Sequence, residues 1–178
     1  AIDNEAAAAE ATRHLISTGR RRIAVVGAQP PPFGHSARLR LRGYRDALAE
    51  AGIRYDPELV VPALSWRRQP GADAVPRLLA LPRPPDALFC LNDLLALGAV
   101  RGLADAGLRV PEDVAVVGFD DIEESRWAIP SLTTVAPDKQ AIARSAVEHL
   151  ARRLDHRSAE PEEVTVAWTL QVRESTAV

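Results

Sequence analysis

Lysine is almost absent from this chain of 178 residues: Lys139 stands alone among 22 basic residues, and the rest are arginine. That skew reads as codon bias rather than chemistry. The single cysteine, Cys90, excludes an internal disulfide and suits a cytoplasmic setting. No apolar run reaches the roughly 18 residues a membrane span needs, so a helical membrane protein is excluded. The net charge of −2 excludes a nucleic-acid-binding surface spread over the whole chain. There is no methionine and no basic-then-apolar leader, and the sequence is expected to be a piece of a longer protein. Common enzyme signatures are missing as well: no GxGxxG after the first strand, no GxxxxGK followed by Ser or Thr, no GxSxG elbow. His14, His35, His149 and His156 lack zinc-site spacing, and none joins Cys90 in a nucleophile arrangement. What is present is the 47% hydrophobic and 26% charged content of a globular domain, large enough to fold without a metal or disulfide.

Short apolar runs alternate with helical stretches. Residues 3–18 read as a helix, with Asp3 as N-cap and Gly19 just past its end. A continuous apolar run at 23–27 reads as a strand buried on both faces, followed by a loop through Pro30-Pro31-Pro32 and Gly34. A helix over 36–51, a strand at 59–61, a loop around Trp66 and a helix near 72–81, with Pro76 in its first turns, come next. A strand at 86–90, a helix over 93–106 and a strand at 114–118 complete a βαβαβαβ series. The fold class is therefore α/β, a three-layer parallel sheet with helices on both faces and right-handed crossovers. Beyond it, 130–134 reads as an extended link, 138–155 as a long helix, and 164–166 and 170–172 as two short strands.

Ligands of such sheets bind at the C-terminal ends of the strands. On the 36–51 helix, Leu41, Tyr44, Leu48 and Ala51 share one face, and Arg38, Arg42 and Arg45 form the opposite, solvated stripe. Arg40 falls instead on the edge of the apolar face, just beyond a strand end. A buried arginine needs a partner, either a structural carboxylate or a ligand held by its planar fork. Asn92 and Asp93 precede a helix, so one can cap it and the other face the cleft. Asp120 and Asp121 follow a strand, where they can form a turn, hydrogen-bond a polar ligand, do general acid/base work or, with a third acid that the sequence does not place nearby, hold a cation. Trp66 in its polar loop is either a core plug or a stacking surface. Arg20-Arg21-Arg22, after a helix C-terminus, suits the helix dipole, with a phosphate patch as the lesser alternative.

Several segments, in order, resemble one family. They are Asp3-Asn4 with His14-Leu15-Ile16 through Gly19-Arg20-Arg21-Arg22-Ile23-Ala24, then Ser36-Ala37-Arg38-Leu39-Arg40 through Tyr44. Cys90-Leu91-Asn92-Asp93 through Ala99, Val110-Pro111-Glu112-Asp113 through Gly118-Phe119-Asp120-Asp121, Ile129-Pro130-Ser131-Leu132-Thr133-Thr134-Val135 and Val172-Arg173-Glu174-Ser175-Thr176 follow. The chain resembles the C-terminal portion of the effector-binding core of lactose-repressor (LacI/GalR) family transcription regulators, which share the type I periplasmic-binding-protein fold.

The resemblance implies a ligand cleft between two subdomains, with Arg40, Asn92 and Asp120 facing the effector and Ser36 and Trp66 as further contacts. It implies that residues 20–133 and 162–178 form the C-terminal subdomain, and that 1–19 and 134–161 are pieces of the N-terminal one. Pro137 stands where many members carry a polar cleft residue. The expected function is effector sensing by a transcriptional regulator, a repressor: a small polar molecule, a sugar, binds and alters operator binding by a homodimer. Operator DNA would be held by a helix-turn-helix domain that this sequence lacks; no cofactor, metal, membrane or enzymatic activity is expected. A sugar-binding transporter component of the same fold is the alternative, and a metal enzyme using Asp120 and Asp121 a more distant one.

Overall fold

The computed structural model describes residues 1–30, 34–155 and 164–177. Among the described residues thirteen elements follow one another, taking α for helices and β for strands: α1 (Asn4–Ser17), β1 (Ile23–Ala28), α2 (His35–Glu50), a 3₁₀ turn (Pro57–Leu59), β2 (Val60–Pro62), α3 (Arg68–Leu79), β3 (Ala87–Cys90), α4 (Asp93–Asp105), β4 (Ala115–Phe119), α5 (Glu124–Trp127), β5 (Thr133–Pro137), α6 (Lys139–Asp155) and β6 (Trp168–Gln171). The six strands form one sheet in the order β2-β1-β3-β4-β5-β6, parallel except for β6, which runs antiparallel along β5. The α/β class and the layered parallel sheet hold.

Alternation along the strands builds two cores. Ile23, Val25, Phe89 and Val117 point to a layer closed by α1 and α2. Ala24, Val26, Leu88, Cys90 and Val116 point to the other, closed by α3 and α4. Both faces are covered, so the central strands read as continuous apolar runs. The helix pairs approach closely because glycine lines their contacts. A Cβ on Gly98 of α4 would stand 1.8 Å from the Arg68 carbonyl oxygen of α3, and one on Gly43 of α2 would stand 2.0 Å from that of Glu5. Gly43 therefore seats α1 directly against α2 and over the sheet. Helix α1 thus packs within this sheet's own layer.

Other boundaries differ in instructive ways. Helix α3 starts at Arg68, so Pro76 lies deep inside it, where it removes one backbone donor. The 130–134 link continues into a true strand, β5, paired with β4 through Val117–Thr133 to Phe119–Val135. Of the two expected short strands, 164–166 gives only an isolated bridge, Ile2 to Val166, and the other forms at 168–171. The expected loop at Pro31 and Pro32 and the residue His156 lie outside the described residues. Past β6, the tail returns to the first residues of β4 and β5. Ser175 Oγ accepts from Thr133 N at 2.8 Å and donates to Val116 O, while Val116 N donates to Ser175 O at 3.0 Å. Thr176 Oγ1 meets Thr133 Oγ1 and the His14 ring, each at 2.8 Å. The tail thus ties α1, β4 and β5 together.

Candidate functional site

The chain from β1 passes to β2 on one side and, after α3, returns to β3 on the other, so the strand order reverses between β1 and β3. Such a switch point opens a crevice at the C-terminal strand ends. Arg40 fills its floor. It lies in the middle of the buried face of α2, between Ala37, Tyr44, Ala47 and Leu48, rather than on its edge, and the residue is 7% exposed. Arg38, Arg42 and Arg45 are exposed, as the helical spacing indicates.

Buried charge demands partners, and Arg40 has them on every side. Its Nε donates to Asn4 Oδ1 at 2.8 Å, and Nη1 donates to the carbonyl oxygen of Leu91, just past β3. The guanidinium carbon lies 3.4 Å from the centroid of Phe119 and 5.3 Å from that of Trp66, which clamps the fork between two rings. Nη2 faces Asp120 Oδ1 at 3.7 Å, an ion pair too long for a hydrogen bond. Burial lowers the Arg40 pKa to about 10 against the pull of Asp120 and Asp93, which leaves it a cation at neutral pH.

Asp120 is the open half of this pair. Its side chain is 38% exposed, and its φ of 114° is one that non-glycine residues rarely adopt. Burial pushes its carboxyl up to about 6, Asp93 adds to that, and Arg40 and Lys139 oppose it. Both partners are thus disfavoured by desolvation, and their contact leaves the pair incompletely compensated. A polar ligand donating hydroxyls to Asp120 while accepting from the fork would complete it.

The remaining candidates divide. Asn92 caps α4, its Oδ1 accepting from Leu95 N at 2.9 Å, and its Nδ2 donates to Trp66 O at 3.3 Å. It joins the floor beside Trp66. The Trp66 indole N–H donates to Gly27 O at 2.8 Å, so the ring is a plug that also covers Arg40. Ser36 is half-buried in the first turn of α2 and makes no side-chain hydrogen bond among the described residues. Asp93, offered as a cleft residue, turns away instead: fully buried, it accepts from Thr134 Oγ1 at 2.5 Å, Ser125 Oγ at 2.7 Å and Ile122 N at 2.9 Å. Asp121 is held by Arg173 at 2.6 Å and Arg126 at 3.7 Å, so it locks the turn that displays Asp120. Among the described residues no group of three His, Cys, Asp or Glu side chains is placed to hold a metal ion. Asn4 and Phe119 were not singled out from the sequence as site residues. An asparagine beside an N-cap and a phenylalanine at a strand end carry no local signal of an arginine far along the chain.

An α/β sheet with a charged crevice at its switch point defines a small-molecule-binding core. Residues 12–176 match the family model described as a periplasmic binding protein-like domain. The chain belongs to this family, in the branch formed by the effector-binding cores of LacI-type transcription regulators. It is 37% identical over 147 residues to the HTH-type transcriptional repressor PurR of Haemophilus influenzae, across 83% of this chain and 43% of PurR. A structure from Sanguibacter keddieii assigned to the LacI family is 45% identical, with a TM-score of 0.92, over 99% of this chain and 66% of the other. The complex of the regulator CelR with cellobiose is 38% identical with a TM-score of 0.90, over 98% of this chain and 52% of CelR. The chain thus spans about 43% of the length of the PurR it matches. These relatives are repressors and regulators, in line with the expectation that the chain is not an enzyme. No described helix is long and apolar enough to cross a membrane.

Proposed function

We propose that this chain is the effector-sensing part of a cytoplasmic LacI-type repressor. It binds a small polyhydroxylated molecule, a sugar, and thereby alters operator binding by a homodimer of the parent protein. The observation that carries this reading is the Arg40–Asp120 pair at the switch point, a buried fork beside a half-open carboxylate. The complex of CelR with cellobiose shows a similar fold engaging a saccharide, which supports the sugar class. Arg40 and Asp120 are the ligand-binding residues in this proposal, Asn92 and Trp66 line the floor, and Ser36 borders it.

The division into subdomains is proposed in modified form. The layer from α1 to β5, with β6 and the tail, forms the C-terminal subdomain, and α6 returns to the N-terminal one. Support comes from α6, which leaves Val147, Leu150 and Leu154 between 62% and 72% exposed. An apolar stripe of that size is a surface made to be covered. Dimerisation is supported by the exposed Trp127, 78% accessible, in an open groove that also includes Leu97 and Ala128. Light scattering on the full-length protein should give twice the subunit mass.

The decisive experiment is a gel shift of the full-length protein on its operator with a panel of mono- and disaccharides. One of them should change operator affinity at least ~10-fold, the size of coupling common in such switches. If none binds or alters the shift, the reading fails. The same ligand should show a pH dependence set by Asp120. Ionised above about pH 6, the carboxylate accepts ligand hydroxyls; protonated, it loses acceptor capacity. Affinity should therefore fall about 10-fold as pH drops from 7.5 to 5, since one pH unit below a pKa leaves roughly a tenth of the group ionised. Asp120→Asn should bind weakly and flatten the profile; an unchanged slope would remove Asp120 from the site.

A further inference from the structure

The arginine run Arg20-Arg21-Arg22 has no place in the effector site, since it lies before β1, at the other end of the strand from the crevice. A six-residue strand separates the two ends by roughly 16 Å. Arg20 is taken up by the fold, donating to Asp86 O at 3.2 Å and Pro111 O at 2.6 Å. Arg22 has a different setting. Its Nε donates to Arg83 O at 2.5 Å and its Nη1 to Asp56 Oδ2 at 3.1 Å, which fixes it as the wall between two loops.

A cavity of about 390 Å³ opens there, lined by Arg22, Arg54, Tyr55, Asp56, Glu58 and Arg83, with Pro57 and Pro82 completing it. The Arg54 and Arg83 side chains are exposed; Arg54 stands near enough to Asp56 to help hold its carboxyl below the usual range, and neither fork makes a hydrogen bond among the described residues. Arg45 adds a further cation at the edge, 4.4 Å over the Tyr55 ring and donating to its hydroxyl at 2.8 Å. Four arginines therefore meet two carboxylates, Asp56 and Glu58, and Asp56 is already paired with Arg22. The corner is basic on a chain whose net charge is −2.

We propose that this cavity is a second ligand site, for a small multivalent oxyanion of the phosphate class, gripped between Arg54 and Arg83 with Arg22 behind it. The planar guanidinium fork offers two parallel donors to a phosphate, which makes arginine the side chain best matched to such ligands. Two exposed forks on the rim of one cavity supply that pairing twice, and the pre-fixed Arg22 lowers the ordering cost of closing on the ligand. The site shares no residue with the Arg40–Asp120 crevice, so it does not rest on the effector reading.

Calorimetric titration of the chain with sodium pyrophosphate in ~50 mM sodium chloride tests it. Saturable 1:1 binding with a Kd below about 1 mM is expected, weakening as salt rises. The Arg54→Gln/Arg83→Gln double variant should lose at least ~10-fold in affinity, and Arg101→Gln on the exposed face of α4 should lose none. Both target residues are exposed, so thermal melts should match the parent chain; if the double variant melts early, Arg83→Gln alone is read instead. Absence of saturable heat, or equal affinity in the Arg54 and Arg83 variants, overturns the proposal. So does loss of binding in Arg40→Ala with the double variant unaffected, which would put the anion in the effector crevice.

Discussion

Asp93→Ala should lower the stability of the fold by about 3 kcal/mol and its melting temperature by roughly 6–12 °C. The carboxylate is fully buried and is the shared acceptor for Thr134 Oγ1, Ser125 Oγ and Ile122 N. Alanine leaves three donors without an acceptor, each costing on the order of 1 kcal/mol or more, and opens a small void besides. Burial raises the Asp93 pKa against those three hydrogen bonds, so the charged form is held at some cost. Asp93→Asn, neutral and nearly isosteric, keeps one acceptor oxygen and should cost less than half as much. Asp105→Ala is the contrast: its ion pair with Arg101 lies on the surface, and its loss should stay within about 0.5 kcal/mol. Differential scanning calorimetry on the three variants checks the ranking. An Asp93→Ala melt within 2 °C of the parent, an estimate scaled from domains of this size, would show that Thr134 and Ser125 find other acceptors.

Arg40→Ala should weaken effector binding to the full-length protein at least ~10-fold, because hydrogen bonds to a charged group contribute about 1.5–3 kcal/mol each. Arg42→Ala, two residues on and on the opposite side of the helix, should change it by less than about twofold. Arg42 is exposed and its partner, Glu5 at 3.2 Å, lies on the surface. Arg40 also supports the fold through Asn4 and Leu91, so titration is paired with a melting curve. Arg40→Lys separates the two roles: it keeps the positive charge but cannot present two donors in one plane, and affinity should remain low. Equal affinities for Arg40→Ala and Arg42→Ala would make Arg40 a structural ion-pair residue and remove the crevice assignment.

How far the chain could be read from its letters depended on whether each signal was local. Asp3, Gly19 and Gly52 punctuate helices by backbone geometry, and the runs at 23–27 and 87–90 are apolar on both faces, so those elements were legible. Strand β5 was not, because Thr133-Thr134-Val135-Ala136-Pro137 looks like a polar link. Its threonines are buried only because Asp93, Arg173 O and Thr176 satisfy them, and those partners lie 40 or more residues away. The periodicity of α2 separated Arg40 from the solvated stripe but set it on the rim of the apolar face. Its central place there follows from Asn4, Phe119 and Asp120, which no helical wheel contains. The same applies to the pair Asn92 and Asp93. Adjacent letters of similar chemistry end with opposite tasks, one a cap lining the floor and one a buried post.

The returning tail has a consequence for biosynthesis. On the ribosome, β1 to β4 and their helices emerge well before Ser175, yet Val116 N–H and Thr133 N–H have no native partner until that residue appears. At typical elongation rates of ~5–20 residues per second, the interval from Val116 to Ser175 lasts some seconds, during which the two strands can pair from Val117–Thr133 onward but their first residues stay uncapped. The clasp on the first residues of β4 and β5 is therefore a late event, made only after the ladder that joins the two strands is already available.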